Sequence, residues 1–293
     1  MKALCFGSMN IDNVYHVQHI VMPGETISST LKETFVGGKG MNQAVAMARA
    51  GLDVYMAGKR GRDGECFANI MQEEGITSLV KVEEAPSGHA IIQVSEEGQN
   101  CIVLFGGTNT MMTPEYIDDV LAQFSEGDYI VLQNEINLLD VIIDKAYEKK
   151  MQVILNPSPF NDAIKRCDLK KVSLFMINEI EGEQISGISS TEPEKILDWF
   201  KTAYPDAEVV LTLGSNGAMC QKDDDRVFQP VIKTNVVDTT AAGDTFSGYV
   251  LAGKANGMSR AEYMLLAARA SSVTVSRKGA SPSIPRIAEL LEK

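Results

Sequence analysis

Two stretches of the sequence carry residue types and spacings suited to chemistry. Near the C-terminal end, Asp238-Thr239-Thr240-Ala241-Ala242-Gly243-Asp244-Thr245-Phe246-Ser247-Gly248 sets small residues before a helical pattern that runs on through Tyr249 and Leu251. Small side chains at a helix start leave backbone N–H groups free to face an anion, and the helix dipole favours negative charge there. A carboxylate at that end, Asp244, could accept the proton of a hydroxyl, which would then attack a phosphoryl group whose growing charge the N–H groups stabilise. The same residues equally make an ordinary capped helix in which Asp244 complements the dipole. Earlier in the chain, Gly37-Gly38-Lys39-Gly40-Met41-Asn42-Gln43-Ala44 leads into a second helical pattern. Adjacent glycines permit close backbone approach to a ligand, and Lys39 and Asn42 can hydrogen-bond hydroxyls. It is not a Walker A loop, because Gly40 follows Lys39, and no G-x-G-x-x-G follows a strand. Taken alone, it reads as a turn.

The elements that must position these residues alternate along most of the chain. After a strand-like start at Lys2–Phe6, Met41, Ala44, Val45 and Ala48 fall on one helical face that ends at Gly51. Thr113-Pro114-Glu115 opens a helix with Ile117, Val120, Leu121 and Phe124 as its apolar stripe. Strands follow at Tyr129–Leu132, Gln152–Leu155 and Val172–Ile177, with a helix at Leu138–Tyr147 between the first two. Thr191 with Glu194 and Ser259 with Glu262 have the spacing of capping boxes. This order predicts an α/β fold, a mostly parallel doubly wound sheet covered by helices on both faces. Two stretches break the rhythm. Residues 11–36, with Ile11–Val17 and Thr26–Phe35 about Pro23-Gly24, and residues 87–105, with Ala90–Val94 and Cys101–Phe105 about the 96–100 turn, read as hairpins. Gathered together they form a small β-sheet lid over a ligand site, or a surface that pairs with a second copy. The division is then 1–10, 37–86 and 106–293 for the main domain, with 11–36 and 87–105 for the discontinuous lid.

Composition sets limits. The 293 residues are 44% hydrophobic and 23% charged, with 27 basic against 39 acidic side chains and a net charge of −12, which excludes a fibre or a disordered tail. That balance, without a basic run, argues against nucleic-acid or membrane-surface partners. The five cysteines are scattered, with no C-x-x-C pair, so reduced and mostly buried thiols are expected. No secretory run opens the chain and no stretch is long enough to span a bilayer, so a cytoplasmic protein is expected. His16 and His19 have no third ligand in sequence and read as lid residues. Trp199 joins Ile196, Phe200 and Ala203 on a helical stripe and reads as core.

Together the two motifs resemble the signatures of the PfkB, or ribokinase-like, carbohydrate kinase family: a Gly-Gly-Lys-Gly-x-Asn-x-Ala segment early in the chain and an Asp-Thr-x-x-Ala-Gly-Asp segment near its end. The resemblance extends over Gly7-Ser8-Met9-Asn10-Ile11-Asp12, Pro23-Gly24-Glu25-Thr26, Asn178-Glu179-Ile180-Glu181, Thr212-Leu213-Gly214 and Arg277-Lys278-Gly279-Ala280. It implies phosphoryl transfer from Mg·ATP to the primary hydroxyl of a small sugar, with Asp244 as base and Ala241, Ala242 and Gly243 around an anion hole. It further implies a ribose-type pocket of Asn10, Asp12, Gly38, Lys39, Asn42 and Glu135, with Ala90 and Ile102 at lid positions. On the nucleotide side it implies Thr212, Gly214, Gly217, Asn178 and Gly243 near ATP, and Asn178 and Glu181 near Mg2+ through water. Asp238, Thr240, Thr274, Arg277, Gly279 and Ser283 correspond to a monovalent-cation loop, expected to take K+. A homodimer through the lid is expected as well. Met41 and His89 are bulkier than the pattern suggests, which leaves open another sugar or a nucleoside as substrate, and a non-catalytic sugar-binding regulator is the remaining alternative. Alanine at 241, where many members carry glycine, is compatible with the anion hole.

Overall fold

In the computed structural model, which describes residues 1–291, strands and helices follow one another in the expected alternation. The first part comprises β1 (Ala3–Phe6), β2 (Asn10–Val17), β3 (Leu31–Gly37), α1 (Lys39–Arg49), β4 (Val54–Ala57), β5 (Lys59–Gly61), α2 (Glu65–Glu73), β6 (Thr77–Ser78), β7 (Lys81–Glu83), β8 (Gly88–Ser95) and β9 (Asn100–Phe105). There follow α3 (Pro114–Leu121), β10 (Tyr129–Gln133), α4 (Leu139–Glu148), β11 (Gln152–Asn156), β12 (Leu174–Asn178), α5 (Glu179–Ser186), α6 (Pro193–Ala203), β13 (Glu208–Thr212), β14 (Ala218–Lys222), β15 (Asp225–Gln229), α7 (Ala242–Ala255), α8 (Arg260–Thr274) and α9 (Ile287–Leu291).

Among the described residues, nine strands form the main sheet in the order β15-β14-β13-β12-β11-β10-β1-β4-β6. Pairing is parallel from β6 to β13 and antiparallel only for β13–β14–β15. Successive side chains of β1 enter opposite cores: Ala3 and Cys5 join Met41, Val45, Tyr249 and Val250, whereas Leu4 and Phe6 join Ile117, Ile142 and Ile143. This two-sided burial explains why the strand sequences are continuously apolar. Chain segments at the carboxyl ends of β1, β10, β11, β12 and β13 carry Ser8, Glu135, Ser158, Asn178 and Thr212. In open α/β sheets that edge is where ligands bind.

A second sheet, β3-β2-β8-β9, projects from this edge. Its outer pairs are antiparallel and β2–β8 is parallel, with Asp12 opposite Ala90 and Phe35. Several local expectations need correction. The strand β3 begins at Leu31, not Thr26, because Ser29 and Thr30 turn back onto the carbonyls of Leu31 and His16. β12 starts at Leu174, since Val172 closes a 3-10 turn over Leu169–Lys171. The Ser259–Glu262 capping box forms, but Thr191–Glu194 does not: Pro193 fixes the helix start after Glu192, and Thr191 pairs with Ser189 instead. The cysteines are free, but only Cys5 and Cys220 are fully buried, and Cys101 lies exposed on an edge strand. Trp199 is half-buried against Phe200 and Tyr204.

Candidate active site

The first turn of α1 is built against the residues that follow β1. Gly38 adopts φ +87°, and a Cβ there would lie 2.8 Å from the Asn10 nitrogen and 3.0 Å from Met9 Cα, so the position demands glycine on both counts. The amides at this helix start meet protein acceptors. Lys39 N donates to Glu135 Oε2 at 3.1 Å, Gly40 N to Ser8 Oγ at 3.3 Å and Met41 N to the Ser8 carbonyl at 2.9 Å. Met41 itself is fully buried in the core, so its bulk places no limit on a ligand.

The α7 start is different. Ala241, at φ +60°, precedes the helix and no side chain caps it. The Ala242 amide donates to Thr239 O at 3.2 Å, so it is less free than expected. The Gly243 and Asp244 amides have no protein acceptor among the described residues, and a Cβ on Gly243 would meet nothing within 4 Å. The carboxylate of Asp244, 8% exposed, accepts from Asn42 Nδ2 on Oδ2 and from Gln43 Nε2 on Oδ1, both at 3.0 Å. In front of it lies a polar cavity of about 230 Å³ lined by Lys39, Ser158, Asn178, Glu181 and Thr239 among others.

A second cluster of polar groups lies where β2 of the small sheet begins. Asn10 is buried and its Oδ1 accepts from Asn109 Nδ2 at 2.8 Å. Asp12 folds over Gly37, where a Cβ would come within 2.0 Å of its Oδ2. Burial, and then the charge of Glu135, push the Asp12 carboxyl up to about 7. The Glu135 carboxyl is also raised, by burial first, although Lys39 and the Ser8 hydroxyl oppose the shift. Lys39 is the common partner. Burial disfavours its charge, but Asp244, Glu135 and Glu181 together hold it above the usual lysine range. Ala90 is buried beside Asp12, whereas Ile102 sits on the outer strand of the same sheet face, paired with Ile92 and 56% exposed. His89 points to the opposite face, stacked on Phe105 at 4.9 Å, so it does not crowd the Asp12 side.

A groove of about 570 Å³ adjoins the polar cavity and shares Thr212, Thr239, Ala242 and Gly243 with it. Its other walls include Gly214, Gly217, Val231, Ile232, Phe246 and Val275, an apolar slot beside a polar cradle. The pfkB family of carbohydrate kinases matches residues 1–287. The chain belongs to that family. This carbohydrate kinase is 33% identical to a ribokinase of Staphylococcus aureus over 99% of its own length and 98% of the relative. It is 34% identical to a bifunctional ribokinase/ribose-5-phosphate isomerase A of Fructilactobacillus sanfranciscensis, of which it spans 54%. A deoxyribokinase of Salmonella typhi is 30% identical over the whole chain and 98% of the relative. Among solved structures, a Cryptococcus neoformans ribokinase in complex with ADP superposes with a TM-score of 0.88 at 30% identity, covering 99% and 98% of the two chains. An Arabidopsis thaliana ribokinase complexed with ribose and ATP gives 0.85 at 27% identity, covering 99% and 97%.

A kinase that uses ATP takes it with Mg2+, and the residues here fit a sparsely held ion. Among the described residues no three His, Cys, Asp or Glu side chains converge as a metal cage. Glu181, 6% exposed, lines the polar cavity with its carboxyl raised by burial, against the Asn178 amide and the Ser158 hydroxyl. It forms a capping box with Asn178, whose side chain accepts from Glu181 N at 2.8 Å. A hydrated Mg2+ needs few protein oxygens, so this single carboxylate suffices.

In the loop before α7, Asp238 Oδ1 accepts from Thr240 N and Oδ2 from Gly279 N, each at 2.9 Å. Burial would raise the Asp238 carboxyl, but these donors and Lys278 hold it below the usual range. The kinase thus brings Asp238, Thr240 and Gly279 together. It turns the other side chains away: Thr274 Oγ1 bonds Thr245 and Ala270, Ser283 Oγ bonds Ala280, and Arg277 pairs with Glu289. The Thr274 carbonyl is engaged as well, accepting from Arg277 N at 3.0 Å. Sequence reasoning missed Ser8, Gln43, Asn109 and Ser281, which bond predicted residues directly, and Gln133, which bonds Gln43. Gln43 could have been noticed because it adjoins Asn42 on the same helical turn. No helix among the described residues is long and apolar enough to cross a membrane.

Proposed function

We propose that this kinase transfers the γ-phosphoryl group of ATP to the primary hydroxyl of D-ribose, giving D-ribose 5-phosphate and ADP. The observation that carries the reading is the position of Asp244: a buried carboxylate in the open first turn of α7, held on both oxygens by α1 and lining the polar cavity beside Lys39. Asn10, Asp12, Lys39, Asn42 and Glu135 offer acceptors and donors to vicinal hydroxyls, with Gly38 as backbone wall and Ala90 and Ile102 over the ring. A hydroxyl-lacking analogue would leave these buried groups unpaired, which is the source of selectivity.

Asp244 takes the hydroxyl proton as the new O–P bond forms and the bond to the β-phosphate oxygen breaks, releasing ADP. The amides of Gly243 and Asp244 meet the charge on the transferred group, Ala242 joining if its bond to Thr239 is given up, and Lys39 adds its ammonium. Mg2+, oriented from Asn178 and Glu181 through water, would neutralise phosphate charge. Thr212, Gly214 and Gly217 border the nucleotide, whose base takes the apolar groove. The loop of Asp238, Thr240, Thr274, Arg277, Gly279 and Ser283 would hold K+, chiefly by its backbone, and the ion would supply positive charge beside the α7 start.

The lid's outer strand exposes Ile102, Val103, Leu104 and Phe105, which supports pairing with a second copy. Light scattering should then report a dimer, and a monomer at working concentration removes this part. The test of function is ADP release with Mg·ATP and potassium across ribose, deoxyribose, fructose, adenosine, cytidine and pseudouridine. Selective turnover of ribose is expected. Preference for deoxyribose, as the similarity to a deoxyribokinase allows, would keep the Asp244 mechanism and remove the ribose assignment.

A further inference from the structure

The two amides that hold Asp244 are themselves aligned from behind, and the alignment has a direction. Gln43, 1% exposed, gives its Nε2 to Asp244 Oδ1, which leaves its Oε1 facing Gln133. Gln133, fully buried at the end of β10, gives its Nε2 to that oxygen at 2.6 Å and lies 3.8 Å from Cys5 Sγ. The chain of donors then ends. Gln133 Oε1 has no hydrogen-bond partner, and it points at Gly7, where a Cβ would come within 2.0 Å.

An amide has one donating and one accepting end, so the sequence of bonds can run only one way. Two acceptors facing Gln43 would force one of its contacts to become oxygen against oxygen. Reversing Gln133 would set its Oε1 against Gln43 Oε1, and reversing both would set Gln43 Oε1 against the carboxylate. A buried acceptor left unpaired is costly and uncommon; here it ends the chain, while the Nε2 donor of Gln133 keeps Gln43 Oε1 turned away from Asp244. The other oxygen is held by a parallel branch in which Ser281 Oγ donates to Asn42 Oδ1 at 3.1 Å.

We propose that Gln133, acting through Gln43, is a positioning residue that fixes the orientation of the Asp244 carboxylate. The proposal rests on Asp244 being the base. A carboxylate free to rotate would spend less time aligned with the hydroxyl, and misplacement of this kind lowers the rate of the chemical step without weakening sugar binding.

The test compares Gln133→Leu, Gln43→Met, the double variant and Asp244→Asn in the full-length enzyme, with ribose and Mg·ATP. Gln133→Leu should lower kcat about 10-fold and Gln43→Met about 10- to 100-fold, each with the KM for ribose within about 2-fold. The double variant should be no slower than Gln43→Met alone, because Gln133 has no other route to the base. Multiplying losses, a change confined to KM, or a Gln133→Leu enzyme with unchanged kcat would overturn the proposal. Gln133→Met repeats the measurement if the leucine variant does not fold. A fully active Asp244→Asn enzyme would instead remove the base assignment, so the two failures are distinguishable.

Discussion

The kinase presents two helix starts to one site, and they are finished in opposite ways. Both follow a residue with positive φ, Gly38 before α1 and Ala241 before α7, and neither has a side-chain cap. At α1 the free amides are satisfied by Glu135 and Ser8, so that end is closed by the protein and becomes a wall that orients a carboxylate. At α7 the Gly243 and Asp244 amides stay open beside a polar cavity. In the proposed reaction, the closed end would shape the sugar's pocket and the open end would leave room for phosphate charge. A helix dipole alone does not make an anion site; what fills the first turn decides.

The largest expected effect removes the group that joins the two ends. Asp244→Asn should reduce kcat by about 10²-fold or more while ribose still binds, as calorimetry would show. Next, Gly243→Val fills the open end, where an added Cβ has free space. Unfolding temperature should hold, while kcat falls by on the order of 10²-fold as the cradle for the phosphoryl group is obstructed. Normal turnover by this variant would show that the α7 start is not where the phosphate sits.

The Asp12 carboxyl adds a pH signature to the comparison. With the Asp12 carboxyl at about 7 in the free enzyme, ribose affinity should drop about 10-fold as pH falls from 8 to 6, since the protonated form accepts fewer hydroxyl bonds. The stability sign is the reverse. A folded-state value above the unfolded one favours folding at low pH, and that contribution is lost as pH rises through 7. Asp12→Asn should therefore raise the unfolding temperature more at pH 8 than at pH 5, and equal gains at both would remove the assigned shift.

At the closed end, Gly38→Ala meets both positive φ and backbone atoms at 2.8–3.0 Å. A loss of about 2–3 kcal/mol is expected, or roughly 3–5 °C in unfolding temperature for a chain of this length, before any effect on sugar binding.

What the sequence revealed follows a physical divide. Elements with strong periodicity, such as Tyr129–Leu132 and the Thr113-capped helix, were legible because burial on both faces of the sheet writes itself into the residue order. Local overrides were not, as where Pro193 displaces the start expected from Thr191 and Glu194. At the site, Asp244 and Asn42 stood out through their motifs. Gln133, Asn109 and Ser281 lie 90, 99 and 239 residues from the partners they hold, and such contacts leave no local trace in spacing. Thr274 and Ser283 show the converse, since their correspondence to a cation loop says nothing of where their hydroxyls turn.

The smallest effect tests whether strain at the open end has a purpose. Ala241 at φ +60° costs about 1–2 kcal/mol relative to a relaxed backbone, and glycine would remove that cost. Glycine also gives the unfolded chain more freedom, a penalty of about 0.4–1 kcal/mol. The two nearly cancel, so Ala241→Gly should shift the unfolding temperature by no more than about 3 °C. If the residue only delivers the chain into α7, kcat should stay within about 2-fold, because the Gly243 and Asp244 amides keep their places. A larger fall in kcat at unchanged stability would mean that the alanine holds the open end rigid against the closed one. The strained residue would then contribute to preorganisation at the open end, as the backbone of Gly38 shapes the closed one.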